Sequence, residues 1–277
     1  MRLPSSLSIR PGSLFAAVAA AALLAPLGLG GLPAPAHATP DGVEGTGDPR
    51  EPYLVDEPDD LHALADAINS GDTSRSSHIE LTQDIDMGDE EFTGFATFSG
   101  TLDGHGHTIS DVTYGPDATN GDSRGFVHTL DGGTLTNLTL DGVTADTDGS
   151  TGFAAGLAVY AVDATITANT VTDATLTSEA GEKAGGLVAE TDGGTLEDNF
   201  VSASVTAHKM PAGITAYAKG AASISRNLVD ADLTMLTPGG DDGSRGHNAG
   251  LVVGYPGTPN SGTFTHNVAL DGSVDGE

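Results

Sequence analysis

Gly186-Leu187-Val188-Ala189-Glu190-Thr191-Asp192-Gly193-Gly194-Thr195-Leu196-Glu197-Asp198-Asn199-Phe200 is one statement of a phrase that recurs along the second half of the chain. A Gly precedes a bulky apolar residue, a small polar turn comes next, and an Asn stands among apolar residues. The phrase returns as Gly125-Phe126…Asn137-Leu138, Gly156-Leu157…Asn169, Gly213-Ile214…Asn227-Leu228 and Gly250-Leu251…Asn267-Val268, with successive Asn 32, 30, 28 and 40 residues apart. Self-similarity at this period is the signature of stacked repeats.

Around the phrase the pattern has period two. His78-Ile79-Glu80-Leu81-Thr82-Gln83-Asp84-Ile85-Asp86-Met87 places Ile79, Leu81, Ile85 and Met87 on inner positions, with a register adjustment near Gln83. Farther along stand short runs such as Gly133-Thr134-Leu135-Thr136-Asn137-Leu138-Thr139-Leu140-Asp141-Gly142, broken by Gly, Asp or Asn and with no helices between them. That is an all-β chain. A propeller blade needs four strands in about 40 residues and aromatic signatures, whereas this chain has no Trp and is 5% aromatic. A right-handed parallel β-helix explains both the repeat and the composition. Coils stack about 4.8 Å apart, so equivalent residues form columns. Asn137, Asn169, Asn199, Asn227 and Asn267 are expected to bond amide to amide as an internal ladder. The leading Gly is expected at a turn of positive φ or at close packing between coils.

Toward the N-terminus, Pro58-Asp59-Asp60 opens a helix whose apolar face is Leu61, Leu64, Ala65 and Ile68, and Asn69-Ser70-Gly71 stops it. Residues 39–52 carry Pro, Gly and acid with one apolar side chain and are expected as a disordered leader. Residues 1–38 read as a secretory signal: Arg2 and Arg10, an apolar Leu14 to Leu24, then Ala36-His37-Ala38 as a small-x-small cleavage site. Pro26 and Gly28 interrupt that run short of the roughly 20 apolar residues a membrane span needs. The β-helix is therefore expected over 53–277, with the repeats from about 125. The sequence stops at Asp275-Gly276-Glu277 straight after a repeat with no evident cap, and since an uncovered β-helix end would be a template for aggregation, a fragment of a larger protein is one expectation.

At Phe98-Ser99-Gly100-Thr101-Leu102-Asp103-Gly104-His105-Gly106-His107-Thr108-Ile109-Ser110-Asp111-Val112 the chain resembles the opening motif of bacterial secreted β-helix proteins. The units downstream of it resemble the GLUG repeat of extracellular adhesins and some surface peptidases. Asp59-Asp60-Leu61 and Leu81-Thr82-Gln83-Asp84-Ile85-Asp86-Met87 match the lead-in such proteins share, so the resemblance covers roughly 53–274. His105 stands where Asn is usual, Asp111 at the ladder position, and Ile214-Thr215-Ala216 where Leu-Val-Gly is usual. The resemblance implies a right-handed β-helix and an exported, surface-associated role. The separate catalytic domain of the larger peptidases has no counterpart here.

The charge bounds the partners. The chain carries −29, and loss of a segment holding Arg2 and Arg10 but no acid takes it to −31, with 39 acids against 8 bases. Such a surface repels nucleic acid and anionic lipid. An exported chain with no Cys relies on packing or bound ions. Gly104-His105-Gly106 also occurs in β-helix polygalacturonases beside acid pairs and an Arg-x-Lys; that last motif is missing, and Asp241-Asp242 is far downstream. A tight turn is the simpler account. Lyase chemistry needs a positioned base, and only Arg50, Arg75, Arg124, Arg226, Arg245, Lys183, Lys209 and Lys219 remain after the signal. Asp141…Asp146-Thr147-Asp148-Gly149 and Asp84-Ile85-Asp86…Asp89 offer oxygen ligands for Ca²⁺ without EF-hand spacing, and solvated loop acids account for them as well. No catalytic, cofactor or metal residue is therefore named. Pro238–His247 lengthens the last interval as an inserted loop, the place where ligand contact is expected. The sequence thus predicts a secreted, non-catalytic β-helix that acts outside the cell or at its surface in adhesion or in binding surface glycans or partner proteins. A polysaccharide-degrading enzyme on the same fold is the alternative, and a structural fragment of a larger surface protein a third reading.

Overall fold

The computed structural model describes residues 39–88, 90–115, 122–147, 151–237 and 248–276. The proposed signal segment, Asp89, Asp148 and the 238–247 loop lie outside the described residues. The chain winds as a right-handed parallel β-helix with one short helix. Each coil runs through three faces. The first face is a six-stranded sheet of Phe95–Phe98, Val127–Asp131, Ala158–Val162, Val188–Asp192, Thr215–Gly220 and Val253–Asn260. The second is an eight-stranded sheet that includes Thr101–Asp103, Thr134–Thr136, Thr165–Thr167, Thr195–Glu197, Ser223–Ser225 and Thr263–Thr265. The third, eleven-stranded, is built on Thr108–Ser110, Thr139–Asp141, Thr170–Ser178, Phe200–Ala207 and Leu228–Met235, with Val268–Ala269 and Val274–Gly276 at its end. A three-stranded ribbon of Ala154–Ala155, Lys183–Gly185 and Met210–Ala212 joins the third face to the first.

Register turns the period-two pattern into columns. Leu102, Leu135, Ile166, Leu196 and Ile224 pair in line and are fully buried. Ile109, Leu140, Val171, Val201 and Val229 form the matching column of the third face. Ile79, Leu81, Ile85 and Met87 are buried, and the strand breaks between Leu81 and Ile85, where the register adjustment was expected.

The ladder is real but one rung shorter than the sequence suggests. Asn169 Nδ2 donates to Asn199 Oδ1 at 3.2 Å, Asn199 Nδ2 to Asn227 Oδ1 at 3.0 Å, and Asn227 Nδ2 to Asn267 Oδ1 at 2.9 Å. Each of these oxygens also accepts the backbone N–H of the preceding Asn at 3.0 Å. Asn137 is outside the ladder. It is exposed, has φ of 52°, and bonds Asp103 at 3.0 Å. The rung position of its coil is Leu138, whose N–H donates to Asn169 Oδ1. The residue before each rung is left-handed: Asn137, Ala168, Asp198, Arg226 and His266 have φ of 52–59°. Asn tolerates that conformation best, so an Asn there mimics a rung one residue early. Asp111 is not a rung either: Ser110 pairs with Asp141, which sets Asp111 beside Gly142 in a different turn.

Gly156, Gly186 and Gly213 settle the choice left open for the leading glycine. None has positive φ, but a Cβ on each would lie 2.2 Å from the carbonyl oxygen of Gly186, Gly213 and Leu251 respectively. The column exists so that successive coils can touch backbone to backbone.

Helix α1 (Pro58–Ser70) buries Leu61, Leu64, Ala65 and Ile68, and ends at Gly71 with φ of 84°. Its Asn69 side chain accepts from Ala96 N–H at 2.7 Å and donates to Gly94 O at 2.9 Å, closing the edge of Phe95–Phe98. Beneath it Phe92, Phe95, Phe98 and Phe126 pack ring to ring at 5.2–5.8 Å. Residues 39–52 depart from the expected disordered leader. Val43 is buried, Glu44 bridges Leu54 in antiparallel fashion, and Gly45 with φ of 104° passes so close to Pro52 that no Cβ fits. Composition alone missed this because glycines that permit the wrap also read as disorder.

Candidate functional site

The residues singled out from sequence do not converge. In Asp103-Gly104-His105-Gly106-His107, His105 and Gly106 have φ of 50° and 82°, and Asp103 Oδ1 accepts His105 N–H at 2.9 Å. The motif is a turn, in keeping with its simpler reading. His105 Nε2 lies 3.3 Å from Glu80 and His107 Nδ1 3.2 Å from Asp84. Asp84 also accepts Thr108 N–H; that bond first, and His107 next, hold its carboxyl below the usual range. Asp141 accepts Thr172 Oγ1 at 2.6 Å. Among the described residues Asp56, Glu57 and Asp60, at the start of α1, bring three carboxylates within 4.8 Å of one another.

A different group comes together where the ribbon meets the first face. The dipeptides Gly156-Leu157 and Gly186-Leu187 bend the chain from one to the other, so their outer surfaces confront each other at a re-entrant corner. Ala155, Val159 and Ala189 form one small apolar cluster there, and Met210, Ala212 and Ala216 a second, both outside the main core. Over this floor the register aligns Tyr160, Glu190, Tyr217 and Tyr255 as one outward column of the first face. Lys183 comes from the ribbon. Its Nζ donates to Glu190 Oε2 at 2.8 Å and sits 4.4 Å from the ring centre of Phe153 and 5.2 Å from that of Tyr217. Lys219 bonds the other oxygen of Glu190 and lies 5.1 Å from Tyr217. Tyr217 and Tyr255 stack at 5.5 Å, and Tyr160 meets Phe153 at 5.9 Å and His128 at 5.3 Å.

The electrostatics derive from that geometry. Burial pushes the Glu190 carboxyl up, but the hydrogen bonds from Lys183 and Lys219 outweigh it and hold the group below the usual range. Glu190 in turn raises Lys219. Burial, then the Glu190 charge, raises the Tyr160 phenol. Lys209 pairs with Glu182 at 2.8 Å one residue before the ribbon strand Met210–Ala212. All three lysines of a chain with 39 acids are thus gathered in one region. Both Glu190 oxygens are committed, so this carboxylate cannot serve as a proton donor near neutral pH. What the corner offers is ring edges, phenol hydroxyls and the half-exposed Lys219 ammonium, which are groups for recognition.

The sequence reading missed this corner because its members are spread over Phe153 to Tyr255. A signal was nonetheless present: Tyr160, Glu190 and Tyr217 each stand four residues after the leading Gly of their unit.

No protein-family model matches the chain. Two similarities stand out. The chain is 30% identical to Halomucin of Haloquadratum walsbyi over 165 residues, 53% of this chain. The match spans only 2% of Halomucin's own length. The backbone is also similar to that in the crystal structure of a "putative immunoglobulin A1 protease" from Bacteroides ovatus, with a TM-score of 0.54 and 14% identity, covering 83% of this chain and 79% of that one. At that identity the likeness carries the β-helix fold alone. Among the described residues no helix is long and apolar enough to cross a membrane.

Proposed function

We propose that this chain works outside the cell or on its surface as a non-catalytic binding module of the GLUG-repeat type, with glycans as its ligands. The corner of Phe153, Tyr160, Lys183, Glu190, Tyr217 and Tyr255 carries the reading. Its one buried carboxylate is tied to two ammonium groups, while aromatic edges and hydroxyls are left to meet a sugar. The similarity to Halomucin supports a surface role, and the leader over 1–38 supports export. Affinity per site is modest and grows through repeated contacts along a rigid rod.

The test is a panel of plant, algal and bacterial polysaccharides screened against the purified protein. Binding that is lost on Tyr217→Ala and Tyr255→Ala, with the melting temperature retained, is the expected result. Reproducible release of reducing or unsaturated ends would overturn the non-catalytic reading in favour of a polysaccharide-degrading enzyme. Binding that survives both substitutions would move the site elsewhere on the rod.

A further inference from the structure

We propose, as an extension that rests on the glycan reading above, that the corner takes an uncharged, linear polysaccharide. The ligand is bound in mid-chain and lies along the rod, with successive sugar residues over successive coils. The first face carries one outward row, Thr97, Thr129, Tyr160, Glu190, Tyr217 and Tyr255, held in register coil by coil. Parallel coils repeat about every 4.8 Å, which is close to the length one pyranose adds to an extended chain. The row therefore meets such a chain at a similar point of each sugar. From Tyr160 to Tyr255 it covers three coil steps, roughly 14 Å and about four sugars.

The side chains of the row suit the faces and rims of sugars. Tyr217 and Tyr255 stack with their ring planes 18° apart, and Tyr160 touches both Phe153 and His128. All three tyrosines are partly exposed. Each offers ring carbon to the C–H side of a pyranose and a phenol to its hydroxyls. Beyond Tyr160, Thr129 and Thr97 continue the row with short side chains. A chain can run on along them, so the row suits the middle of a polymer and not its terminal residue.

Charge selects against acidic sugars. Lys183 and Lys219 both bond Glu190, and the register sets Asp192 beside Lys219. Two ammonium groups thus answer two carboxylates. Asp131 lies in the same row as Asp192, on the far side of Val162. Lys209 is paired with Glu182. A uronate or sulfated chain would find no uncompensated lysine here, and it would approach a molecule of −29. Neutral hydroxyls meet no such barrier. They can bond the half-exposed Lys219 ammonium and the exposed Asp192 carboxylate with no charge of their own to bury.

Titration calorimetry of the full chain tests this with linear gluco-, manno- and xylo-oligosaccharides, from monomer to hexamer, and with galacturonate oligomers of matched length. Affinity for a neutral series should rise with length and level off near the tetramer. Tyr160→Ala, checked for an unchanged melting temperature, should bring that plateau to a shorter chain. The galacturonate tetramer should bind weaker by about tenfold or more, and added salt should close part of the gap. Three results would overturn the inference while leaving the glycan reading in place: a monosaccharide bound as well as the tetramer, a plateau unmoved by Tyr160→Ala, or galacturonate bound as tightly as its neutral counterpart. Failure to bind any oligosaccharide, neutral or acidic, would remove both.

Discussion

The Asn ladder yields the sharpest quantitative expectation, because the structure divides five similar-looking residues into rungs and a non-rung. The Asn199 side chain accepts from Asn169 N–H at 3.0 Å and Asn169 Nδ2 at 3.2 Å, and donates to Asn227 Oδ1 and Ile166 O, both at 3.0 Å. In Asn199→Ala the buried Asn169 N–H loses its acceptor, which costs about 1–3 kcal/mol, and the remaining lost bonds add roughly 0.5–1.5 kcal/mol each where no substitute is found. Asn169 Nδ2 keeps Leu135 O, and Asn227 Oδ1 keeps Asn199 N–H, so the sum stays near 3–5 kcal/mol rather than doubling. Asn137→Gly removes one exposed bond and relieves a left-handed φ, so it should fall within about 0.5 kcal/mol of the parent. Urea unfolding followed by far-ultraviolet circular dichroism, with the slope checked for constancy, measures both. Asn199→Asp adds an internal control. A carboxylate accepts but cannot donate to Ile166 O or Asn227 Oδ1, so its cost should exceed that of Ala at neutral pH and shrink on acidification. Equal losses at positions 137 and 199, or less than about 0.5 kcal/mol for Asn199→Ala, would refute the ladder as drawn.

Gly186→Ala should be among the most damaging substitutions of a small residue in the chain, since its Cβ would lie 2.2 Å from Gly213 O and 2.6 Å from Val201 Cγ1; a melting temperature unchanged from the parent would contradict the backbone contact. Lys183→Met should cost roughly 1–3 kcal/mol, below the figure for an unpaired buried charge, because Lys219 still bonds Glu190. The Glu190 carboxyl is held below its ordinary value in the fold, so its stabilisation is present above the ordinary Glu range and is lost as pH falls through the folded value. Lys183→Met should flatten that acid limb in pH-dependent melting, and an acid limb identical to the parent's would count against the pair. For Asp60 the sign reverses. Burial, partly offset by the Asp56 N–H, raises its carboxyl, so the folded state binds its proton more tightly and this contribution disappears as pH rises through the folded value. Asp60→Asn should accordingly gain on the parent at neutral pH and lose that advantage in acid; a constant difference across pH would exclude the effect.

How much of this was legible in the sequence depends on whether one coil or several must be known. The helix face of Leu61, Leu64, Ala65 and Ile68 and the strand pattern from Ile79 to Met87 are local periodicities, and both stand in the structure. The repeat phrase fixed the stacking period, because a parallel β-helix forces equivalent residues into register. Its phase was harder to read. Asn is favoured both as a buried rung and as the left-handed residue before one, so Asn137 looked like the first rung while Leu138 holds that place. The corner was harder still. Lys183 and Glu190 are close in sequence, but they acquire Phe153, Tyr160, Tyr217 and Tyr255 only when three further coils are laid alongside. Residues 39–52 failed for a third reason: the glycines that let the chain pass under Tyr53 carry no pattern of their own.

The proposed binding corner has an electrostatic logic. A chain of −29 repels most anionic surfaces, and its three lysines lie together around the corner. Association is discouraged elsewhere on the rod, a form of specificity by repulsion. That discouragement weakens in brine, where the Debye length falls to about 3 Å near 1 M salt. The Lys183–Glu190 bond and the cation–ring contacts around it are largely desolvated, so salt screens them far less. Ligand binding at the corner should therefore hold nearly constant as salt rises. A corner affinity that collapses with salt would mean that the ligand is held by the exposed Lys219 charge alone.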